Sequence, residues 1–368
     1  MWKVMPLLAA LLAVTACAQE PAPPPATQTS SLQRTAESLQ AKLRRTPADA
    51  AAWAQLGSTH VELARVTFDP QHYTRAEKAL TESLRLKPDG NGEAFIGRGA
   101  LANARHDFAA ARDWAQRAVS VPPDSASAQG VLVDALTQLG DSSGESVALQ
   151  RMLDLRPGVA SFTRAAYHFE LRGRLDEARG ALERALEAAS SPDEAAFCRL
   201  HLGRLALNEG RLDEATEHFA DSVPGKAELA LRQGRPGDAA DAYRSLVSKV
   251  PSPEYLVRYG EALEAAGRPA EARAQYDLAL RQLRALGGDD LTAALIAADH
   301  GDPAEALRFA EKEWAKRQSV FTADAMAWAL HVNRRSAEAL PYSDKAVALG
   351  WRDPSVLRHR EAILRSLR

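Results

Sequence analysis

The sequence predicts an all-α protein built as an array of stacked helix pairs, and three observations predict it. A six-residue block recurs along the 368 residues, as Gly173-Arg-Leu-Asp-Glu-Ala178, Gly210-Arg-Leu-Asp-Glu-Ala215, Gly234-Arg-Pro-Gly-Asp-Ala239, Gly267-Arg-Pro-Ala-Glu-Ala272 and Gly301-Asp-Pro-Ala-Glu-Ala306. With weaker copies at 106, 140 and 334, successive starts lie 34, 33, 37, 24, 33, 34 and 33 residues apart. A fixed period near 34 is the length of a helix–turn–helix unit. Finally, 46% hydrophobic and 26% charged residues are the proportions of an ordinary folded chain.

The block reads as the turn inside each unit. Glycine ends the first helix because left-handed backbone costs it little. Pro236, Pro269 and Pro303 follow two residues later, where a new helix has no intrahelical use for the missing N–H. The acid after them faces the positive end of the helix dipole. The alanine is small where two helices must pass closely.

Taken in order, the chain opens with Met1-Trp-Lys3, a ten-residue apolar stretch from Val4 to Ala13, and Val14-Thr-Ala-Cys17. The apolar stretch is too short to span a bilayer and fits a secretory signal. Its end resembles the bacterial lipobox, which implies cleavage before Cys17 and lipidation of that thiol. An ordinary signal cut near Ala16 or Ala18 is the alternative. Residues 1–16 are thus expected to be a signal peptide, and 17–31 a lipidated cysteine with a disordered Pro/Ala-rich tether. Residues 32–368 form the array. Leu32, Ala36, Leu39 and Leu43 have helical spacing and predict a capping helix that shields the first interface.

In the first full unit, Trp53, Leu56, Gly57, His60, Ala76, Leu80 and Pro88 resemble the tetratricopeptide repeat pattern. Trp53 and Ala76 lie farther apart than that pattern allows, which predicts an insertion around 66–72. Later units keep the phase, best in the fourth (Phe162, Phe169, Ala178, Leu182, Ala185) and fifth (Leu202, Gly203, Ala215, Phe219). The third is degenerate, with Glu145 in the small-residue position. The sixth is shortened near 220–226, which predicts two short helices and a bend or a change of superhelical pitch near Pro224. About nine repeats result, closed by a last helix over 354–367. The resemblance implies a right-handed superhelix whose first helices line a concave groove. It also implies a non-catalytic scaffold that holds peptides or helices of partner proteins.

On that register Arg164, Tyr167, His201 and Arg204 form a cationic and aromatic groove patch. Guanidinium groups pair carboxylates at two points, so an acidic peptide or C-terminus could dock there. The alternative is a solvated face neutralised by nearby acids. Phe321 and Trp328 are a second groove candidate, with packing against the last helix as the rival reading. The chaperone-binding clamp of this family is absent, because Ala54, Ser58 and Gly97 stand at its polar positions.

A net charge of −2 argues against a general nucleic-acid binder. Neither HExxH nor GxSxG occurs, and no complete phosphate loop is present. Cys198 and His201 are three residues apart on one helix but lack the rest of a metal site, so a core cysteine is expected. No catalysis, metal or cofactor is expected. The sequence thus predicts an interaction scaffold, exported and lipid-anchored through Cys17 on the outer face of a bacterial membrane, with its protein partner unidentified. The alternatives are an accessory subunit of an envelope enzyme and a secreted, unlipidated solenoid binding a small ligand or envelope polymer.

Overall fold

The computed structural model describes residues 26–286 and 288–368. The expected signal peptide, Cys17 and the start of the tether lie outside the described residues. Twenty helices stand among those described. Helix α1 (Ala26–Arg45) leads, and its first six residues belong to the segment expected as tether. Pro25 is the last proline before it, so nothing beyond breaks helical hydrogen bonding.

Nine helix pairs follow. They are α2 (Ala50–Thr67) with α3 (Gln71–Leu86), α4 (Gly92–Ala104) with α5 (Phe108–Val119), and α6 (Ala126–Leu139) with α7 (Ser142–Leu155). Next come α8 (Val159–Glu170) with α9 (Leu175–Glu187), α10 (Pro192–Asn208) with α11 (Leu212–His218), and α12 (Val223–Arg232) with α13 (Pro236–Lys249). The last three are α14 (Pro253–Ala265) with α15 (Pro269–Leu286), α16 (Asp290–His300) with α17 (Pro303–Lys316), and α18 (Val320–Val332) with α19 (Ser336–Ala346). Helix α20 (Pro354–Ser366) closes the array.

The recurring block does what its residues dictate. Gly173, Gly210, Gly234 and Gly267 take φ between +66° and +78°. In each the next N–H bonds to the carbonyl five residues back, as Arg174 to Phe169 at 2.9 Å and Arg268 to Leu263 at 2.8 Å. The arginine then grips the acid three residues on: Arg174–Glu177 at 2.6 Å, Arg235–Asp238 at 2.6 Å, Arg268–Glu271 at 2.7 Å. The same pair forms at Arg211–Glu214 and Arg335–Glu338. The block alanines 111, 178, 215, 239, 272, 306 and 339 are all 0% exposed. Gly301 departs from the rule, with an extended φ of −131°. His106 (φ +58°) and Arg334 (φ +62°) hold the left-handed turn without being glycine.

The irregular units have plain causes. Helix α2 absorbs the insertion as added length, 18 residues long, and turns at Phe68 in left-handed backbone. Glu145, misplaced at a small-residue position, is 3% exposed and takes contacts from His168 at 2.9 Å and Arg172 at 3.2 Å. The two short helices, α11 with seven residues closing the fifth pair and α12 with ten opening the sixth, pack round Phe219. A Cβ on Gly203 or Gly225 would meet that ring at 2.3 or 2.2 Å.

The array also closes on itself. A Cβ on Gly173, in the fourth pair, would lie 2.3 Å from the Gly350 carbonyl oxygen. Gly140 meets Ser319 in the same way, at 3.0 Å. Arg317, 5% exposed, lies over the Phe108 ring at 4.5 Å and donates to the Gln138 carbonyl at 3.2 Å. Leu171 joins one apolar cluster with Phe321, Trp351 and Val356. The concave side of the second to fourth pairs is therefore covered by the end of the same chain.

Both Gly173 and Gly267 hold left-handed backbone, but only Gly173 has backbone against it. Gly267→Ala is expected to cost about 1–2 kcal/mol, and Gly173→Ala at least twice that, read from denaturation midpoints. Equal losses would mean that the seam carries no stability.

Candidate functional site

The first helices of the pairs face inward, and together with the covering segments they enclose a cavity of about 480 Å³. Val61, Ile96 and Val131 from α2, α4 and α6 line it together with Leu283 and Leu286 of α15. Polar and charged groups such as Glu62, Arg65, Asp134, Arg164 and Asp289 stand beside this apolar lining, the mixture that a ligand site uses to fix orientation. The arginines on its walls are internally matched. Arg164 clasps Asp134 at two points, 2.7 and 2.6 Å, and donates to the Ala160 carbonyl at 2.9 Å. Arg65 pairs with Glu62 at 2.7 Å. Asp289 caps α16 through the Thr292 N–H at 3.2 Å and has His106 3.8 Å away. The Asn103 side-chain amide oxygen Oδ1 is buried without a hydrogen-bond partner among the described residues.

The expected cationic patch is divided by this arrangement. Arg164 lines the cavity, whereas Arg204 is held by Glu228 at 2.7 Å and Glu254 at 3.1 Å. Both guanidinium groups are already engaged, so an acidic peptide would have to displace an internal carboxylate from either. His201 is pushed down to about 3 by burial and then by Arg204, so it is neutral, and it tilts against Phe197 at 4.4 Å. Tyr167 stacks on Phe321 with centroids 6.2 Å apart and planes 6° from parallel. Phe321 is 2% exposed and meets Trp351 edge-on at 5.3 Å. Trp328 stacks on His359 of the last helix at 4.2 Å and donates to Asp299 at 2.7 Å. The structure thus places Phe321 and Trp328 as packing groups against the last helix and the segment before it. Cys198 is fully buried, and burial pushes its thiol up to about 11, which makes it unreactive.

The tetratricopeptide repeat family model matches residues 61–128, 163–227 and 225–287, just over half of the chain. This chain belongs to the tetratricopeptide repeat family. Among curated proteins none matches it in sequence. Among solved structures it is similar to a chain of the APC/C hetero-tetramer Cut9–Hcn1, at 12% identity and TM-score 0.51. That match covers 86% of this chain and 63% of the other, less than two thirds of its length. It is also similar to human IFIT1, solved as a dimer with m7Gppp-AAAA, at 15% identity and TM-score 0.51, covering 86% and 77%. Both are likenesses of fold. In this repeat protein the cavity walls were legible as inward helix positions, but their closure by α15 and α16 was not, because no local pattern encodes it.

One carboxylate at the seam is strained electrostatically. Burial, and then the neighbouring Asp353 carboxylate, push Glu170 up to about 7 from an ordinary 4.5. Its raised folded value means that its contribution to stability is complete below about pH 4.5 and is lost as pH rises through 7. Glu170→Gln is expected to raise the melting temperature at pH 8 and to change it little at pH 4.5. A mutant gain that is the same at both pH values would show that Glu170 does not titrate in this range.

Proposed function

We propose that this repeat protein is a non-catalytic interaction scaffold that holds a short extended segment of a partner protein in its concave cavity. The enclosed volume of about 480 Å³ carries this reading, being room for a few side chains and too little for a docked helix. Family membership supports interaction rather than catalysis. The apolar walls with matched arginines favour a segment whose apolar side chains enter first. The same volume favours, as a second reading, a small ligand in place of a peptide.

The setting rests on the sequence. The short basic start, the apolar stretch and Val14-Thr-Ala-Cys17 support export and lipid anchoring on the outer face of a bacterial membrane, with the tether lifting the array from the surface. The alternatives remain a secreted, unlipidated form and an accessory subunit of an envelope enzyme.

A single experiment tests both parts. A photo-crosslinking residue at Val131 in the full-length chain, expressed with radiolabelled palmitate, should capture a partner protein and carry label on Cys17. Capture should vanish when the crosslinker sits instead at exposed Val147. No label on the wild type would rule out the anchor. Labelling without protein capture at Val131, with a small molecule retained on native mass spectrometry, would replace the peptide by a ligand.

A further inference from the structure

Matching within the central cavity uses up its arginines and leaves acid over. The lining holds four carboxylates, of Glu62, Asp134, Glu254 and Asp289, against the two guanidinium groups of Arg65 and Arg164. Glu62 and Asp134 take those two. Glu254 accepts from Arg204 at 3.1 Å, but that arginine also serves Glu228 at 2.7 Å, so one cation is divided between two acids. Arg258, close enough to feel both acids, is held by Glu261 at 3.0 Å. No lysine or arginine pairs with Asp289 among the described residues. The lysines of α17 go to its neighbour, Lys312 and Lys316 meeting Asp290 at 2.9 and 2.6 Å.

Asp289 is nonetheless buried, at 5% exposed. It accepts from the Thr292 N–H at 3.2 Å and from the Thr292 hydroxyl. His106 Nδ1 faces it at 3.8 Å, beyond hydrogen-bonding reach. The backbone N–H of His106 bonds to the Asn103 carbonyl at 2.9 Å, so the end of α4 brings Asn103 to the same end of the cavity. Asn103 spends its amide N–H on the Val131 carbonyl at 3.2 Å, and its Oδ1 is the buried acceptor that has no partner among the described residues. An acceptor left open in this way costs free energy that a ligand's donor would recover. The other guanidinium groups beside these residues are spent elsewhere. Arg105 pairs with Glu77 at 2.8 Å, and Arg317, over the Phe108 ring, pairs with Glu313 at 2.6 Å.

We propose that the cavity takes an ammonium group carried on an apolar chain, with Asp289 and Asn103 as its acceptors. An ammonium has three donors and no acceptor, and its charge answers the carboxylate that the wall leaves uncompensated. Val61, Ile96, Val131, Leu283 and Leu286 bury the chain behind it. The inference rests on this cavity being the binding site of the proposed function. A lysine of the partner segment and a free alkylamine carry this same chemistry.

Hexylammonium and hexanoate, equal tails with opposite heads, are titrated into the full chain at pH 8, with ligand-observed NMR and calorimetry as readouts. Hexylammonium binds about tenfold more tightly than hexanoate, or better. Asp289→Asn keeps an N-cap acceptor for Thr292 and weakens hexylammonium binding about tenfold. Asp302→Asn, at the cap of α17 and outside the cavity lining, leaves it unchanged. The comparison of the two heads needs no variant, so it decides the matter even where Asp289→Asn misfolds. Equal affinity for the two heads, tighter hexanoate, or binding of neither overturns the proposal, and partner capture at Val131 would then still uphold the scaffold. Two tripeptides, acetyl-Val-Lys-Leu-amide and its norleucine counterpart, separate the sources. Tighter binding of the lysine peptide assigns a partner's lysine, and hexylammonium binding without that preference assigns a free amine.

Discussion

The approach of backbone to backbone at Gly173 and Gly350 sets the shape on which the rest depends. Only residues without a Cβ let the turn of the fourth pair sit against the segment before the last helix. Once that seam forms, Leu171, Tyr167, Phe321 and Trp351 come together as a shared apolar cluster, and Arg317 reaches across to Phe108 and Gln138. A repeat array is otherwise held by neighbours alone. Here contacts between residues some 180 positions apart add a second, non-local layer of stability.

Closure changes what the inner face can do. In an open groove, charged side chains are solvated and available to a partner. Inside this one, Arg164 and Arg204 have spent their forks on Asp134, Glu228 and Glu254, and acids such as Glu170 and Asp353 crowd one another. Removing Arg204 would leave two carboxylates buried without their cation, which typically costs about 3–5 kcal/mol. A loss of partner binding in such a variant would then report unfolding, not docking. What is left for a partner is the apolar cavity wall.

The repeats were legible because their signals are local. Glycine at the turn, alanine at the crossing and the 34-residue period act within one unit, and the shortened sixth unit showed as a missing stretch of chain. The seam was not legible. Gly173 looks like any block glycine, and Gly350 lies outside every block, so their contact follows only from the accumulated turn of five intervening pairs. The candidate site was half legible for the same reason. Register placed Arg164, Tyr167, His201 and Arg204 on inner helices, but it could not say which partners the far end of the array would bring to Tyr167, or that Arg204 would be claimed from α12 and α14. Even inside the block the pattern has limits: Gly301 is extended, and His106 and Arg334 turn left-handed without glycine.

The account stands on closure, and a crosslink across the seam tests it most directly. Ser142 and Ala348 line the same small cavity of about 160 Å³ between α7 and the end of α19. Cysteines at these two positions, with Cys198→Ala as background, should be joined intramolecularly by a short-arm bis-maleimide in the native chain. The joined species should disappear in denaturant. If both thiols react singly and no internal crosslink forms in the folded protein, the array is open and its inner face is free.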